Sequence, residues 1–289
     1  MHTVQAKTIL SAQNGMNLYR GCTHGCIYCD SRSKCYRMEH AFEDVAVKQN
    51  APELLDAALR RRSRYCMIGT GSMSDPYLPL EKEFQLTRRC LEIIDRRGFG
   101  VTLLTKSPDI LRDIDLLYSI HAKARCVVQM TLTTADDTLC RIVEPKVAPT
   151  SARAAALRTF RDAGIPTVVW LCPLLPLIND TEENVRGILE ICFEAGVKGI
   201  VNFGMGMTLR AGNREYFYDR LDADFPGLRA EYEKRYGLAY QISSPRWRAL
   251  DKLFREQCAA HGVMCDAKQI FAWLREFRSP LETNQTSLF

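Results

Sequence analysis

The chain has 289 residues, 46% of them hydrophobic and 25% charged, with a formal net charge of +5. That length and apolar share can bury the core of one large domain, or of one domain with a small appendage, and they argue against disorder. No run of about 18 apolar residues occurs, and the opening stretch MHTVQAKTILSAQNG lacks the charged-then-apolar form of a signal peptide, so the compartment expected is the cytoplasm, with no membrane involved. The mild positive charge permits an acidic partner without demanding one. Twelve cysteines would read as disulfides in a short secreted chain. Here most are single residues within apolar segments, among them Cys66, Cys126, Cys172 and Cys192, and read as reduced core packing.

In chain order, residues 16–21, MNLYRG, form a short apolar-aromatic run ending at Gly21 and are expected as a first strand that delivers a cysteine-bearing loop from its carboxyl end. Leu54, Leu55, Ala58 and Leu59 recur at helical spacing over about 52–62, and YCMIG at 65–69 follows as a second strand. The alternation then repeats. Helical patterns near 84–97, 109–121, 151–163 and 181–195 are interleaved with strand-like runs at 101–105, 126–132, 167–171 and 199–203. Gly98, Gly164 and Gly196 stand where a left-handed cap is wanted, and Asp180 with Glu183 can make a capping box. Strands alternating with helices imply an α/β fold with a parallel sheet, and the six units fall short of the eight that close a full barrel. Beyond about Gly204 the texture changes to charged helices. Among them is the periodic stretch from Pro245 to Ala260, which either covers the mouth of the barrel or packs on its outside. The expected division is a core over 1–203 and an α-helical extension over 204–289, ending in a polar tail from Ser279 to Phe289.

The chemistry is most legible in YRGCTHGCIYCDSRSKCY, residues 19–36. There Cys22, Cys26 and Cys29 fall at C-x3-C-x2-C spacing among small, flexible residues such as Gly21, Thr23 and Gly25. Three thiolates this close can surround one soft metal centre. A 4Fe-4S core usually takes four thiolates, so a trio leaves one iron open to a small molecule. The alternative is a structural zinc site, for which His24 or Cys35 could supply the fourth ligand. Ligands in parallel α/β folds bind at the carboxyl ends of strands. Gly69, Thr70, Gly71 and Ser72, at the end of the second strand, offer close backbone approach and hydroxyls, or form a plain glycine-rich turn. Lys106, after the third, can meet a carboxylate or sit in solvent. Thr131, Thr133, Thr134, Arg141 and Glu144-Pro145 accompany the fourth strand; Pro173, Pro176, Asn179 and Asp180 follow the fifth.

The C-x3-C-x-aromatic-C pattern, with Tyr28 as the aromatic, resembles that of the radical SAM superfamily. A more specific, ordered set accompanies it: DPY-x-P-x-E at 75–81, TKS at 105–107, a threonine-rich fourth strand followed by R-x-x-EP at 141–145, and a proline-rich fifth strand with Asn179-Asp180. From Tyr19 to Ala195 this order resembles the spore photoproduct lyase and DNA repair photolyase-like group. The resemblance implies a partial (β/α)6 barrel of TIM type, a 4Fe-4S cluster on Cys22, Cys26 and Cys29, and S-adenosyl-L-methionine chelated by the open iron. It also implies Tyr28 near the adenine, the backbone from Gly69 through Thr70 and Gly71 to Ser72 near the methionine amino group, and Lys106 and Thr131 toward the rest of the cofactor. The implied reaction is reductive cleavage of S-adenosylmethionine to a 5′-deoxyadenosyl radical that abstracts hydrogen from a substrate the sequence does not name. Its electrons would come from an external reductant of the flavodoxin or ferredoxin type.

One position departs from the lyase pattern. Spore photoproduct lyases carry a hydrogen-donating cysteine in the loop after strand two, where this chain has Ser72 ahead of Met73-Ser74-Asp75. A serine O–H bond is too strong to quench a carbon radical as a thiol does. Cys258 and Cys265 are expected as packing, with a second centre as the alternative, and Cys35 fits either role. Tyr216, Tyr218, Arg210 and Arg214 can face a substrate or pack. The cluster from Arg60 to Arg64 suggests nucleic acid. It ends a helix ahead of a strand, however, which puts it on the face opposite the cysteines, and it reads better as a solvated helix end. Two rival functions come from other classes. A non-catalytic iron-sulfur or zinc module would be told apart by the colour of the reconstituted protein, and a nucleic-acid-binding protein on the same scaffold by steep salt dependence. The chain is taken as a monomer.

Overall fold

The computed structural model describes residues 1–278, so the tail expected from Ser279 onward lies outside the described residues. The chain opens with β1 (His2–Val4), β2 (Gly15–Met16), β3 (Tyr19–Arg20) and β4 (Ala46–Lys48). Strands and helices then alternate: α1 (Ala51–Arg60), β5 (Met67–Thr70), α2 (Glu81–Phe84), α3 (Leu86–Arg97), β6 (Gly100–Thr105), α4 (Ile114–Lys123), β7 (Cys126–Thr131), α5 (Asp137–Val143), α6 (Thr150–Asp162), β8 (Thr167–Trp170), α7 (Glu182–Glu194) and β9 (Gly199–Val201). A 6-stranded sheet runs in the order β2-β5-β6-β7-β8-β9, and every neighbouring pair is parallel. Strands laid down in sequence order with helices between them make a partial barrel of TIM type, the architecture expected.

The helices form where apolar side chains recur on one face. Leu55 and Leu59 of α1, Leu91 and Ile94 of α3, Leu117 and Ile120 of α4, Leu157 and Phe160 of α6, and Ile188 and Cys192 of α7 share one core with Ile68, Val101, Val128 and Val169 of the strands. Every residue of β7 is buried, as a strand in the middle of a sheet covered on both sides must be. Gly98, Gly164 and Gly196 take φ of +73°, +73° and +64° and follow α3, α6 and α7. They occupy the left-handed conformation that a side chain would strain.

Several boundaries differ from the sequence expectation, each for a local reason. The run 16–21 is not one strand. Met16 pairs with Thr70 in the barrel sheet, whereas Tyr19 pairs antiparallel with Val47 in a separate sheet formed with β1 and β4. Tyr19 turns inward to give its hydroxyl to the buried carboxylate of Glu81, and that carries the chain out of the barrel. The pattern at 109–121 begins as a 3-10 turn at Pro108–Asp113 before α4. The helix α5 is an addition to the expected set; it starts where Asp136 accepts hydrogen bonds from the Thr138 and Leu139 amides. The capping box at Asp180 and Glu183 does not form. Thr181 caps α7 by accepting from the Asn184 amide at 3.1 Å, while Asp180 accepts from the Leu177 amide at 2.7 Å and from the Ser244 hydroxyl.

Of the two placements expected for the Pro245 to Ala260 stretch, packing on the outside is the one that occurs, and other parts of the chain beyond residue 204 reach the barrel mouth. This region contains β10 (Gly206–Thr208), α8 (Asn213–Asp224), α9 (Leu228–Tyr236), β11 (Gln241–Ser243), α10 (Trp247–Ala260) and α11 (Ala267–Arg275). The antiparallel pair β10-β11 reaches the mouth of the barrel. On the outside, α10 packs on α7, and the Ile200 amide donates to Met264 O at 2.8 Å, which covers the edge of β9. Cys258 lies in the main core with Cys192, as packing. Among the described residues no helix is long and apolar enough to cross a membrane.

The glycine with least room for a side chain stands just after β5, against the backbone of β6. Gly71 has φ +98°, and a Cβ added to it would lie 1.8 Å from Leu104 O. Gly71→Ala is therefore expected to cost at least ~3 kcal/mol, whereas Gly164→Ala, with φ +73° but nothing within 4 Å of the added atom, should cost only ~1 kcal/mol. Urea unfolding midpoints measure both. Equal shifts would mean that the clash at Gly71 is relieved by loop movement.

Candidate active site

The carboxyl ends of the barrel strands surround a cavity of about 400 Å³. Cys22, Cys26 and Cys29 line it, together with Tyr28, Gly71, Ser72, Lys106 and Thr131. Of the expected cofactor-binding residues only Gly69 and Thr70 stand apart. They remain within β5, paired with Thr102 and Leu103, and the chain leaves the sheet only at Gly71. Thr133 and Thr134 are buried beyond the cavity wall, and Arg141 is exposed. Asn179 braces the backbone behind that wall, where it accepts from the Leu175 amide at 2.6 Å and donates to Thr133 O at 2.8 Å.

The cysteine loop is held by backbone contacts to three other segments. The Cys22 amide donates to Phe42 O at 3.0 Å, and the Ile27 amide to Val143 O at 3.0 Å. The Ser74 hydroxyl donates to Gly21 O at 2.6 Å. Gly21 itself has φ +96°, and a Cβ there would meet Phe42 O at 2.5 Å, so only glycine lets the loop pass. Burial pushes the Cys22 thiol up to about 12, the Cys29 sulfur adding to the effect, and burial likewise raises Cys26. Thiols in such surroundings stay protonated unless a cation takes the proton's place.

Asp75 organises the opposite wall. Its Oδ1 accepts from the Tyr77 amide at 2.8 Å and the Thr105 hydroxyl at 2.7 Å, and its Oδ2 accepts from the Lys106 amide at 2.7 Å. The His24 ring approaches it at 3.7 Å, and burial holds that imidazole below its usual range. With the Lys106 backbone fixed, its ammonium reaches over the Tyr28 ring, 5.8 Å from the centroid, and among the described residues it has no hydrogen-bond or carboxylate partner. Burial works against the charge on Lys106. The nearby Cys26, Glu144, Cys29 and Asp75 outweigh it and raise the ammonium above its ordinary value.

The structure adds residues that the sequence does not single out. Asp75 stands in the DPY stretch, its only signal there. Cys172 lines the cavity instead of the core, at the end of β8, and burial pushes its thiol up to about 12. Trp170 and Phe203 form a further wall, edge to face at 5.7 Å, with Phe203 more than half exposed. Tyr218, a candidate substrate contact by sequence, packs instead with Phe217 and Tyr232 in a cluster that also takes in Ile27 and Tyr28. Arg214 donates to Leu209 O, Leu238 O and Ala239 O, Arg210 to Cys35 Sγ at 3.3 Å, and Tyr216 stacks under Arg32. Arg62 bonds Asn14, just ahead of β2, so the basic cluster does lie at the amino ends of the strands, away from the cavity.

Comparison with known proteins agrees with this geometry. The model of the radical SAM superfamily matches residues 16–190. An uncharacterized protein of Mycobacterium tuberculosis is 30% identical over 232 residues, covering 76% of this chain and 66% of its own length. One of Methanocaldococcus jannaschii is 33% identical over 176 residues, covering 60% and 65%. The chain thus spans about two thirds of the length of these relatives. Among solved structures, spore photoproduct lyase complexed with dinucleoside spore photoproduct superposes with a TM-score of 0.64 at 14% identity, over 91% of this chain and 80% of that one. The radical S-adenosylmethionine methyltransferase TsrM from Kitasatospora setae gives 0.54 at 14% identity, over 84% and 51%. At such identities these two are likenesses of fold. The family match over most of the barrel goes further: the chain belongs to the radical SAM superfamily, enzymes whose cofactors are S-adenosylmethionine and a 4Fe-4S cluster.

Proposed function

We propose that Cys22, Cys26 and Cys29 hold the 4Fe-4S cluster, that S-adenosylmethionine occupies the adjoining cavity, and that the enzyme abstracts hydrogen from a substrate admitted past Trp170 and Phe203. The observation that carries this reading is that three loop thiols and the ammonium of Lys106, without a hydrogen-bond or carboxylate partner among the described residues, line a single cavity at the carboxyl ends of the barrel strands. The donor set fits. Among the described residues no group of three or more His, Cys, Asp or Glu is arranged to hold a single metal ion; on a cluster each thiolate binds a separate iron, so the trio has to span a core and not meet at a point. Gly25, with φ +71°, gives the turn between the first two cysteines.

When bound, this pair of cofactors supplies reductive cleavage of the sulfonium and a 5′-deoxyadenosyl radical, the hard chemistry that side chains cannot perform. The chain's own residues bind, orient and exclude water. Lys106 offers a charge-assisted hydrogen bond to the methionine carboxylate. Gly71 and Ser72 bring backbone toward the methionine end, while Tyr28 and Thr131 line the cavity together with Lys106. We divide the chain into a core over 1–203 and an extension over 204–289 whose Gly206, Met207, Thr208 and Gln241 complete the cavity wall. An external flavodoxin-like or ferredoxin-like reductant is required. The exposed Phe203 and the apolar Trp170 favour a substrate with a flat apolar face.

Each of Cys22→Ala, Cys26→Ala and Cys29→Ala should abolish the cluster absorbance and the cleavage of S-adenosylmethionine, whereas Cys258→Ala, in the core, should not. A brown, cleavage-competent Cys26→Ala enzyme would sink the reading. Lys106→Ala should keep the cluster and weaken S-adenosylmethionine binding by roughly 1.5–3 kcal/mol, the worth of a hydrogen bond to a charged group; unchanged affinity by calorimetry would assign Lys106 another role. Because Ser72 stands where the lyase resemblance asks for a thiol, anaerobic incubation with dinucleotide spore photoproduct and dithionite should consume S-adenosylmethionine without clean repair to thymidine. Efficient repair by chromatography contradicts that assignment.

A further inference from the structure

Among the described residues the largest fully buried side chain is an arginine, Arg153, and its partner Glu144 is buried to the same degree. Removing two charges from water costs more than packing two apolar side chains of similar size, unless geometry and hydrogen bonding are both excellent. Here satisfaction is incomplete, since Arg153 Nε has no partner among the described residues. The bonds that do form are directed at the cavity. Arg153 Nη1 donates to Thr131 O at 2.7 Å, at the end of β7, and Nη2 donates to Glu144 and meets Cys140 Sγ at 2.8 Å. The other oxygen of Glu144 accepts from the Tyr28 hydroxyl. On either side of Glu144 the backbone grips the cysteine loop: Val143 O accepts from the Ile27 amide at 3.0 Å, and the Lys146 amide donates to His24 O at 3.1 Å.

We propose that Glu144 and Arg153 are positioning residues that lock Tyr28, and through it the cysteine loop, against the end of β7, so setting the distance between the cysteines and the Lys106 side of the cavity. The proposal rests on the S-adenosylmethionine reading given above. It explains why a charged pair occupies a place where apolar packing would be the cheaper solution. It also explains how the half-buried Lys106 keeps an ammonium with no hydrogen-bond partner among the described residues: the Glu144 carboxylate offsets its charge without bonding to it. Burial alone would neutralise Glu144, but Arg153 and Lys106 outweigh it and hold the carboxyl below its usual range.

The test uses the anaerobically reconstituted holoenzyme, with S-adenosylmethionine affinity from equilibrium dialysis and the EPR spectrum of the reduced cluster with and without S-adenosylmethionine. Tyr28→Phe removes one hydrogen bond and leaves the ion pair in place. Glu144→Met combined with Arg153→Met removes both charges at similar volume and keeps the fold. Each should weaken binding about tenfold and alter the spectral change that S-adenosylmethionine induces. Joining all three substitutions should weaken it no further, because they act through one chain of contacts. Arg153→Lys, which keeps the charge, should retain part of the affinity. Binding within twofold of the unaltered enzyme in Tyr28→Phe, or additive losses in the triple variant, overturns the proposal, and Tyr28→Phe decides it even if the Met pair fails to fold. An unaltered protein that assembles no cluster, or binds no S-adenosylmethionine, would instead refute the underlying reading.

Discussion

The candidate site depends on one buried carboxylate. Asp75 takes three hydrogen bonds, two of them from the segment that ends β6, and so ties the loop after β5 to the loop after β6. A carboxyl group withdrawn from water needs such hydrogen bonding to offset its burial. Its neighbour Ser74 reaches across to Gly21 and adds the cysteine loop to the same assembly. Three segments that are distant in sequence are thereby held around one space, beside the close approach of Gly71 to Leu104 O that the β5–β6 register brings about.

Around that frame one ammonium is left without a hydrogen-bond partner among the described residues. Asp75 faces backbone amides and a hydroxyl, Glu144 faces Arg153 and Tyr28, and the three thiols face the cavity. Lys106 lies among all of these and bonds to none through its ammonium. A ligand carrying a carboxylate can accept from that ammonium without displacing an existing pair. Trp170, Phe203 and Met207 form the apolar side of the same cavity.

Much of this is legible from residue order because the barrel is written in local terms. Each strand-helix unit carries its own apolar periodicity, and the cysteine loop and TKS segment fall where strands end. What residue order hides are features set by distant contacts. Arg153 sits in SARAAALR and looks like a solvated helix residue; only the fold brings it against Glu144 and Thr131. Cys172 looks like core packing because its neighbours are apolar, yet β8 ends one residue earlier than the pattern suggests, which turns it toward the cavity. The split of residues 16–21 between two sheets depends on Glu81, more than sixty residues away, a contact no local pattern reports. Gly69 and Thr70 group with Gly71 by sequence because strand ends are uncertain by a residue or two, and the ladder with β6 keeps them in the sheet.

Whether the trio of cysteines carries a cluster with an iron open to S-adenosylmethionine in this cavity is addressed most directly by electron-nuclear double resonance. The sample is the reduced, reconstituted protein with S-adenosylmethionine labelled with 15N at the methionine amino group and 17O at its carboxylate. Hyperfine coupling of both labels to the cluster is expected, as chelation at one iron requires. A well-formed cluster that shows no coupling to either label, or a colourless protein that takes up zinc in place of iron, would contradict the assignment.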